Sequence, residues 1–130
     1  NTIKQMFNLF EKNKKFNSIV SIYNPAVHPF NFIKINNKYL NFGTYKIDKH
    51  SWFDFERTQE WPNAYCYSPA IRITKVKYFK KFYNDDLIKI IDKTFDIHKC
   101  MGFSISEVEA FDINNNSDFA IANNLIKNIK

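Results

Sequence analysis

Apolar and polar positions alternate along the chain in patterns that predict both helices and strands. Apolar residues at helical spacing predict an amphipathic helix from Thr2 to about Lys15. Ser18–Tyr23 is a short run rich in β-branched residues, which is typical of a buried strand. Strand-like alternation on both sides of Asn36-Asn37 predicts a β-hairpin between Asn31 and Phe42. The first third of the chain therefore predicts a helix, a strand and an antiparallel hairpin, in that order.

The rest of the chain continues this mixture after a polar, irregular connection. Pro69 argues that the strand containing it lies at a sheet edge or carries a bulge, because proline cannot donate a ladder hydrogen bond. The order of elements fits half of an α/β domain with an inserted antiparallel arm. The predicted segments are the connection Gly43–Glu60, a strand Tyr65–Thr74, a helix Lys75–Thr94, a strand Cys100–Ile105 and a helix Ser117–Ile129.

The C-terminal stretch that starts at Glu109 carries the most informative polar residues. We interpret it as a strand end that presents Asp112 and Asn114, followed by a turn and a helix with Ser117 as its N-cap. In open α/β sheets, ligands collect beyond the carboxyl ends of the strands. The helix has one apolar face at helical spacing, formed by Phe119, Ala122, Ile126 and Ile129.

The segment Asp112-Ile113-Asn114 resembles the "D-I-D" ending of the acylneuraminate cytidylyltransferases, the CMP-sialic acid synthetases. Four upstream blocks resemble the same family and occur in the family's order. They are Asn17–Ile22 (N-S-I-V-S-I), His28–Phe30 (H-P-F), Arg57–Tyr65 (R-T-Q-E-W-P-N-A-Y) and Ala70–Lys75 (A-I-R-I-T-K). Together the blocks span most of the chain.

The resemblance implies a partial Rossmann-like nucleotide-diphospho-sugar transferase fold with an antiparallel hairpin dimerisation arm at about residues 24–64. It implies a homodimer that transfers CMP from CTP to an acidic nine-carbon sugar. The family's Gly-rich basic loop, which cradles the CTP phosphates, has no counterpart around Gly43 or Gly102. We therefore expect residues 1–130 to be the C-terminal half of the domain, to need an N-terminal half as partner, and to be inactive alone.

The resemblance also implies site residues. Asp112 and Asn114 stand where the family has two aspartates that bind Mg²⁺, so the second ligand here is neutral. Arg57 is expected to bind the sugar carboxylate, with Gln59 beside it, and Ser68 stands at the asparagine of the family's "N-G". For Arg57 an open alternative is a surface ion pair with Asp54, Glu56 or Glu60. His28 and Tyr65 are interpreted as structural residues.

Charge and composition leave the chemistry open. The chain has 19 Lys and Arg against 13 Asp and Glu, a net charge of +6. The basic residues are scattered, and those around Lys75–Phe82 fit the solvated face of a helix, so we expect no nucleic-acid partner. Two cysteines without CxxC spacing and no apolar run of about 18 residues predict a cytoplasmic protein without a membrane span.

Two other classes of protein remain open at this point. The chain is alternatively a degenerate, non-catalytic homologue or dimerisation subunit, which the replacements at Asn114, Ser68 and Pro69 favour. It is alternatively a basic binding module unrelated to the cytidylyltransferases.

Overall fold

The computed structural model describes residues 1–80 and 99–128, which form a mixed α/β protein. These residues belong to two compact units, one of Asn1–Tyr23 with the chain from Tyr67 onward, and one of Asn24–Cys66. The helices and strands are α1 Thr2–Lys12, β1 Ser18–Tyr23, β2 Lys34–Asn36, β3 Tyr39–Asn41, β4 Cys66–Thr74, α2 Val76–Lys80, β5 Cys100–Ser104, α3 Glu107–Ala110 and α4 Asn116–Asn128. Three 3-10 turns lie at Pro29–Asn31, Trp52–Asp54 and Thr58–Glu60.

A three-stranded sheet with the order β4-β1-β5 organises the first unit. The central strand β1 pairs in parallel with β5, from Ser18 opposite Cys100 to Ile22 opposite Ser104. Strands β1 and β4 run antiparallel, because Thr74 is hydrogen-bonded to Ser18 at the start of β1, whereas the earlier residue Ile71 is hydrogen-bonded to Ser21 further along β1. The sheet is therefore mixed. It confirms the strands predicted at Ser18–Tyr23, Tyr65–Thr74 and Cys100–Ile105.

Helix α1 supplies the core of this unit. Met6 and Phe10 are buried against Ile19 of β1, because they recur at helical spacing on one face. The helix ends at Lys12 rather than near Lys15, because Asn13 closes it. The Asn13 backbone N–H donates to the Phe10 carbonyl, and its carboxamide donates to the Leu9 carbonyl at 2.8 Å. Leu9, Phe16, Ile71, Ile73, Met101 and Phe103 pack around this cluster partly buried.

Side-chain hydroxyls join β1 to β4 beside Pro69. In the sheet formed by the described strands β4 is an outer strand, as Pro69 predicts. The Ser21 hydroxyl accepts from the Ile71 N–H at 3.0 Å, and the carbonyl oxygens of Ser68 and Ile71 lie 3.1 Å from it as acceptors. Ser21 has no surface exposed to water. Its hydroxyl therefore serves the Ile71 N–H as the acceptor that water or a backbone carbonyl would otherwise be.

We expect Ser21→Ala to lower the free energy of unfolding by about 1–3 kcal/mol, because it leaves a half-buried N–H without an acceptor. Urea unfolding followed by far-ultraviolet circular dichroism measures this change. Ser104→Ala is the matched control, since Ser104 is an exposed strand residue and should change stability by less than about 0.5 kcal/mol. Equal losses in the two variants would refute the role of the Ser21 hydroxyl.

The second unit, which we call the arm, has an aromatic centre at Phe30. This side chain is 1% exposed. Its ring meets His28 at 4.8 Å, Trp61 at 5.5 Å and Phe55 at 6.0 Å between centroids. The His28 ring also bonds both segments that it lies between, because Nδ1 accepts from the Phe30 N–H at 3.2 Å and Nε2 lies 2.9 Å from the Pro62 carbonyl oxygen. His28 is thus a structural residue here, as the sequence indicates.

The predicted hairpin between Asn31 and Phe42 is present in the arm, with its turn one residue later than expected. Strands β2 and β3 pair with Asn36 opposite Tyr39, so the two turn residues are Asn37 and Lys38. Asn37 has a φ of +56°, a left-handed conformation that asparagine tolerates better than most residues. The register of the two strands therefore places Asn37, rather than Asn36, at the left-handed position of the turn.

The prediction of a strand at Glu109 is wrong. Glu109 does not lie in a strand, because Glu107–Ala110 is the one-turn helix α3, capped by Ser106 and Glu109. The last helix is present, but the described residues do not bury its apolar face, since Phe119 is 58% and Ile126 is 68% exposed. Helical spacing identifies residues that share a face, but a second element must pack on that face to bury it.

Two predicted helices lie partly outside the described residues, Lys75–Thr94 and, at its last residue, Ser117–Ile129. Helix α2 covers Val76–Lys80 of the helix predicted at Lys75–Thr94, and the remainder lies outside the described residues. The α/β class and the antiparallel hairpin are confirmed. The finer assignment to a Rossmann-like transferase fold stays a prediction.

Candidate functional site

Asp112 lines a small pocket in the first unit, formed by two segments that are distant in sequence. The pocket has a volume of about 180 Å³ and is lined by Pro69, Ala70, Ala110, Phe111 and Asp112. Four of its five lining residues are apolar, so the Asp112 carboxylate is the anionic group of the lining. The pocket joins the β4 segment next to Ser68 with the segment that contains Asp112.

Asn114 lies beside Asp112, as the sequence predicts. Its carboxamide nitrogen is 3.4 Å from Asp112 Oδ2. The neighbouring Asp118 carboxylate accepts from the backbone N–H groups of Asn114 at 3.0 Å and Asn115 at 3.1 Å. Asn115 in return accepts from the Asp118 N–H at 3.0 Å through its side chain. Asn115, rather than the predicted Ser117, therefore caps helix α4, and Asp118 holds the Asp112–Asn114 segment against the helix start.

These donors fit one kind of metal site. Asp112 offers a carboxylate, and rotation of the Asn114 side-chain amide presents its oxygen beside it. Among residues 1–80 and 99–128, no group of three or more His, Cys, Asp or Glu side chains could hold a metal ion. A closed, all-protein site does not fit the described residues. Mg²⁺ retains several water ligands and needs few from a protein, so Asp112 and the Asn114 amide oxygen would be the protein ligands for such an ion.

Helix α3 positions the segment that leads to Asp112. Ser106 accepts from the Glu109 N–H through its hydroxyl, and the Glu109 carboxylate accepts from the Ser106 N–H at 3.2 Å. The Thr2 hydroxyl, together with the Ser106 N–H and hydroxyl, holds the pKa of Glu109 below its usual value. The ionised carboxylate thus ties α3 to the start of α1. Ala110 follows in the buried wall of the pocket.

Arg57 and Gln59 both lie in the arm, Arg57 directly before the 3-10 turn Thr58–Glu60 and Gln59 within it. Both side chains are exposed. Within residues 1–80 and 99–128 the salt bridge present is Lys14–Glu11, so Arg57 does not form the alternative ion pair with Asp54, Glu56 or Glu60 there. Asp54 is engaged elsewhere, because the Ser51 backbone N–H donates to it and lowers its pKa. The Arg57 guanidinium is thus available to an anion.

Ser68 has a different environment from the other predicted site residues. It has no exposed surface, its hydroxyl accepts from the Ala70 N–H at 3.3 Å, and its carbonyl oxygen faces the Ser21 hydroxyl. These bonds give Ser68 a role in shaping the β4 segment beside the Asp112 pocket. We therefore leave Ser68 out of the proposed direct contacts and keep Arg57, Gln59, Asp112 and Asn114.

Comparison with known proteins adds no assignment. No protein-family model matches the chain, and no curated protein matches it. Over residues 1–80 and 99–128, none of the helices combines the length and apolar character needed to cross a membrane.

The sequence interpretation missed the capping residues and the apolar wall of this site. Asp118 is a capping residue of the Asp112–Asn114 segment, and the spacing Asn115-x-x-Asp118 carries the signal of a reciprocal cap. Ser106 and Glu109 carry the same kind of signal for α3. The apolar pocket wall at Ala110 and Phe111 has no local signal, because it depends on packing between distant segments.

Proposed function

We propose that this chain is part of a cytidylyltransferase that joins CMP from CTP to a sialic-acid-like nonulosonic acid and releases pyrophosphate. The observation that carries the proposal is the pocket shared by Pro69-Ala70 and Asp112. Two of the sequence blocks that resemble the family, far apart along the chain, line the same small cavity. An accidental resemblance gives no reason for these blocks to meet.

The proposed reaction uses positioning and charge neutralisation. The anomeric hydroxyl oxygen of the sugar acid forms a bond to the α-phosphorus of CTP, and the bond from that phosphorus to the bridging oxygen breaks as pyrophosphate leaves. The hydroxyl proton is released to solvent. Mg²⁺, when bound, would neutralise charge on the phosphate oxygens. Asp112 and Asn114 would hold that ion from the protein side. Arg57 would orient the sugar carboxylate, because a guanidinium binds a carboxylate through two parallel hydrogen bonds.

The arm supports the proposed homodimer. It exposes several large apolar side chains on and near the hairpin, and such patches commonly mark contacts with other protein chains. The most exposed of them are Ile35, Tyr39, Leu40 and Phe53.

A second candidate function is a dimerisation subunit without catalysis, which the same apolar arm favours. In that case neither Arg57 nor Asp112 would affect turnover.

We expect Arg57→Ala to raise KM for the sugar acid about 10- to 100-fold and to leave KM for CTP unchanged. The lost charged hydrogen bonds are worth about 1.5–3 kcal/mol in the ground state. The measurement is steady-state pyrophosphate release by the enzyme reconstituted with an N-terminal half that carries the phosphate-cradling loop.

Lys46→Ala is the control for Arg57→Ala, since Lys46 is also basic, exposed and in the arm. It should leave both constants unchanged. If Arg57→Ala changed the constants for CTP and sugar equally, Arg57 would have a structural role and the carboxylate contact would be wrong.

A further inference from the structure

The arm contains a second pocket that the candidate site does not use. It has a volume of about 330 Å³, within the range of small-molecule clefts, and lies entirely within residues 24–64. Neither Arg57 nor Gln59 lines it, although Thr58 between them does. The pocket is therefore distinct from the residues proposed for the sugar carboxylate and for the metal.

Uncommitted polar side chains surround this pocket. Asn24, Asn31 and Asn63 contribute carboxamides, and Thr58 contributes a hydroxyl. None of these four side chains forms a hydrogen bond within residues 1–80 and 99–128. Each carboxamide can donate and accept, which is also the capacity of an alcohol group. The polar groups are thus available to a ligand that carries several hydroxyls.

The remaining wall is aromatic and apolar. Trp61 is half-buried in the pocket lining, and its ring packs against His28 at 4.9 Å and Phe30 at 5.5 Å between ring centroids. Pro25 and Pro62 complete the apolar surface. An indole held in this way can pack against the C–H face of a sugar ring without losing side-chain entropy on binding.

The pocket lining contains no Lys, Arg, Asp or Glu side chain. The His28 ring in the lining is held by the Phe30 N–H at 3.2 Å and the Pro62 carbonyl oxygen at 2.9 Å. A charged ligand would find no counter-charge from an acidic, lysine or arginine side chain in the lining.

We propose that this pocket binds a neutral, hydroxyl-bearing sugar ring of about hexose size. The three carboxamides come from separate positions in the chain around the pocket. They can therefore bond hydroxyl groups that point away from a sugar ring in several directions. A nucleobase instead presents its polar atoms in one plane and stacks best between two flat surfaces, whereas this pocket has one indole. The proposal stands on the arm alone and does not depend on cytidylyl transfer.

Titration of the intact, isotope-labelled chain with methyl glycosides of glucose, galactose and mannose tests the proposal. We expect at least one of them to produce saturable shifts of the Trp61 indole signal and of the carboxamide signals of Asn31 and Asn63. Trp52 lies outside the pocket lining and serves as the internal reference. Cytidine is titrated in parallel.

Asn31→Ala and Asn63→Ala should each weaken the affinity for that glycoside about two- to tenfold, since each removes one hydrogen-bonding side chain. Both residues are exposed, so the fold should survive, which the unchanged Trp61 signal of the free variant verifies. Asn36→Ala, an exposed asparagine of the hairpin, should keep the affinity of the original chain. The proposal is overturned if no glycoside shifts Trp61, if Asn36→Ala weakens binding as much as the pocket variants, or if cytidine binds there more tightly than every glycoside.

Discussion

Phe30→Ala should lower the free energy of unfolding of the arm by about 3–5 kcal/mol. The ring is fully enclosed, and its removal costs both the transfer free energy and the cavity that remains. It also removes edge-on contacts with His28 and Trp61. Both tryptophans of the chain, Trp52 and Trp61, lie in the arm, so tryptophan fluorescence during urea unfolding reports on this unit.

Phe53→Ala is the matched control for Phe30→Ala. Phe53 is 73% exposed and stacks on Trp52, so the same chemical truncation should change stability by about 0.5 kcal/mol or less. Comparable losses in the two variants would mean that Phe30 is not the centre of the arm.

Asp112→Ala should lower turnover of the reconstituted enzyme about a hundredfold or more. It removes the anionic ligand of the proposed metal site, and a loss of about 3 kcal/mol in transition-state stabilisation corresponds to that factor. Asn114→Asp should keep or raise turnover, because it adds a second carboxylate beside Asp112. Initial rates of pyrophosphate release at saturating CTP and sugar acid provide the measurement.

Substitutions of two other carboxylates distinguish the loss of a metal ligand in Asp112→Ala from a general effect of lost charge or lost structure. Glu56→Ala removes an exposed carboxylate of the arm and should leave turnover unchanged. Asp118→Ala removes the cap that holds Asn114 and Asn115, so it should lower thermal stability together with turnover. Full turnover in Asp112→Ala would show that the metal assignment is wrong.

The strands were predictable because each carries its own local signal. Ser18–Tyr23 carries β-branched residues on both faces, which is typical of a central strand, and the structure places it between β4 and β5. Pro69 indicated an outer strand for a chemical reason that holds in any context. The hairpin followed from alternation around two asparagines, although only its register could decide which one takes the left-handed φ.

The structure departs from the sequence patterns for two different reasons, one of packing and one of local capping. The apolar stripe of Phe119 and Ile126 is real as a pattern, but in the described residues nothing covers these side chains, and periodicity carries no information about a partner. A short helix forms instead of the strand expected at Glu109, because Ser106 and Glu109 cap it reciprocally. The spacing of these two residues was visible in the sequence.

In the candidate site, too, some features follow from the local sequence and others depend on packing between distant segments. The closeness of Asp112 and Asn114 follows from their positions in the chain, and the resemblance singled them out. The pocket between Asp112 and Pro69-Ala70 could not be predicted from either segment alone, because it requires the sheet and helix α3 to bring them together. The contact between the Ser68 carbonyl and the Ser21 hydroxyl likewise joins two strands that are distant in sequence.

Pyrophosphate release by the reconstituted enzyme is the most direct test of the proposed cytidylyl transfer. The two halves are first shown to associate by the mass of the complex, and the complex is then incubated with CTP, a sialic-type sugar acid and Mg²⁺. We expect release that requires all three components, disappears with Asp112→Ala and is absent from the 130-residue chain alone. An assembled complex that releases no pyrophosphate above background would contradict the proposed function, and so would turnover by the chain without its partner half.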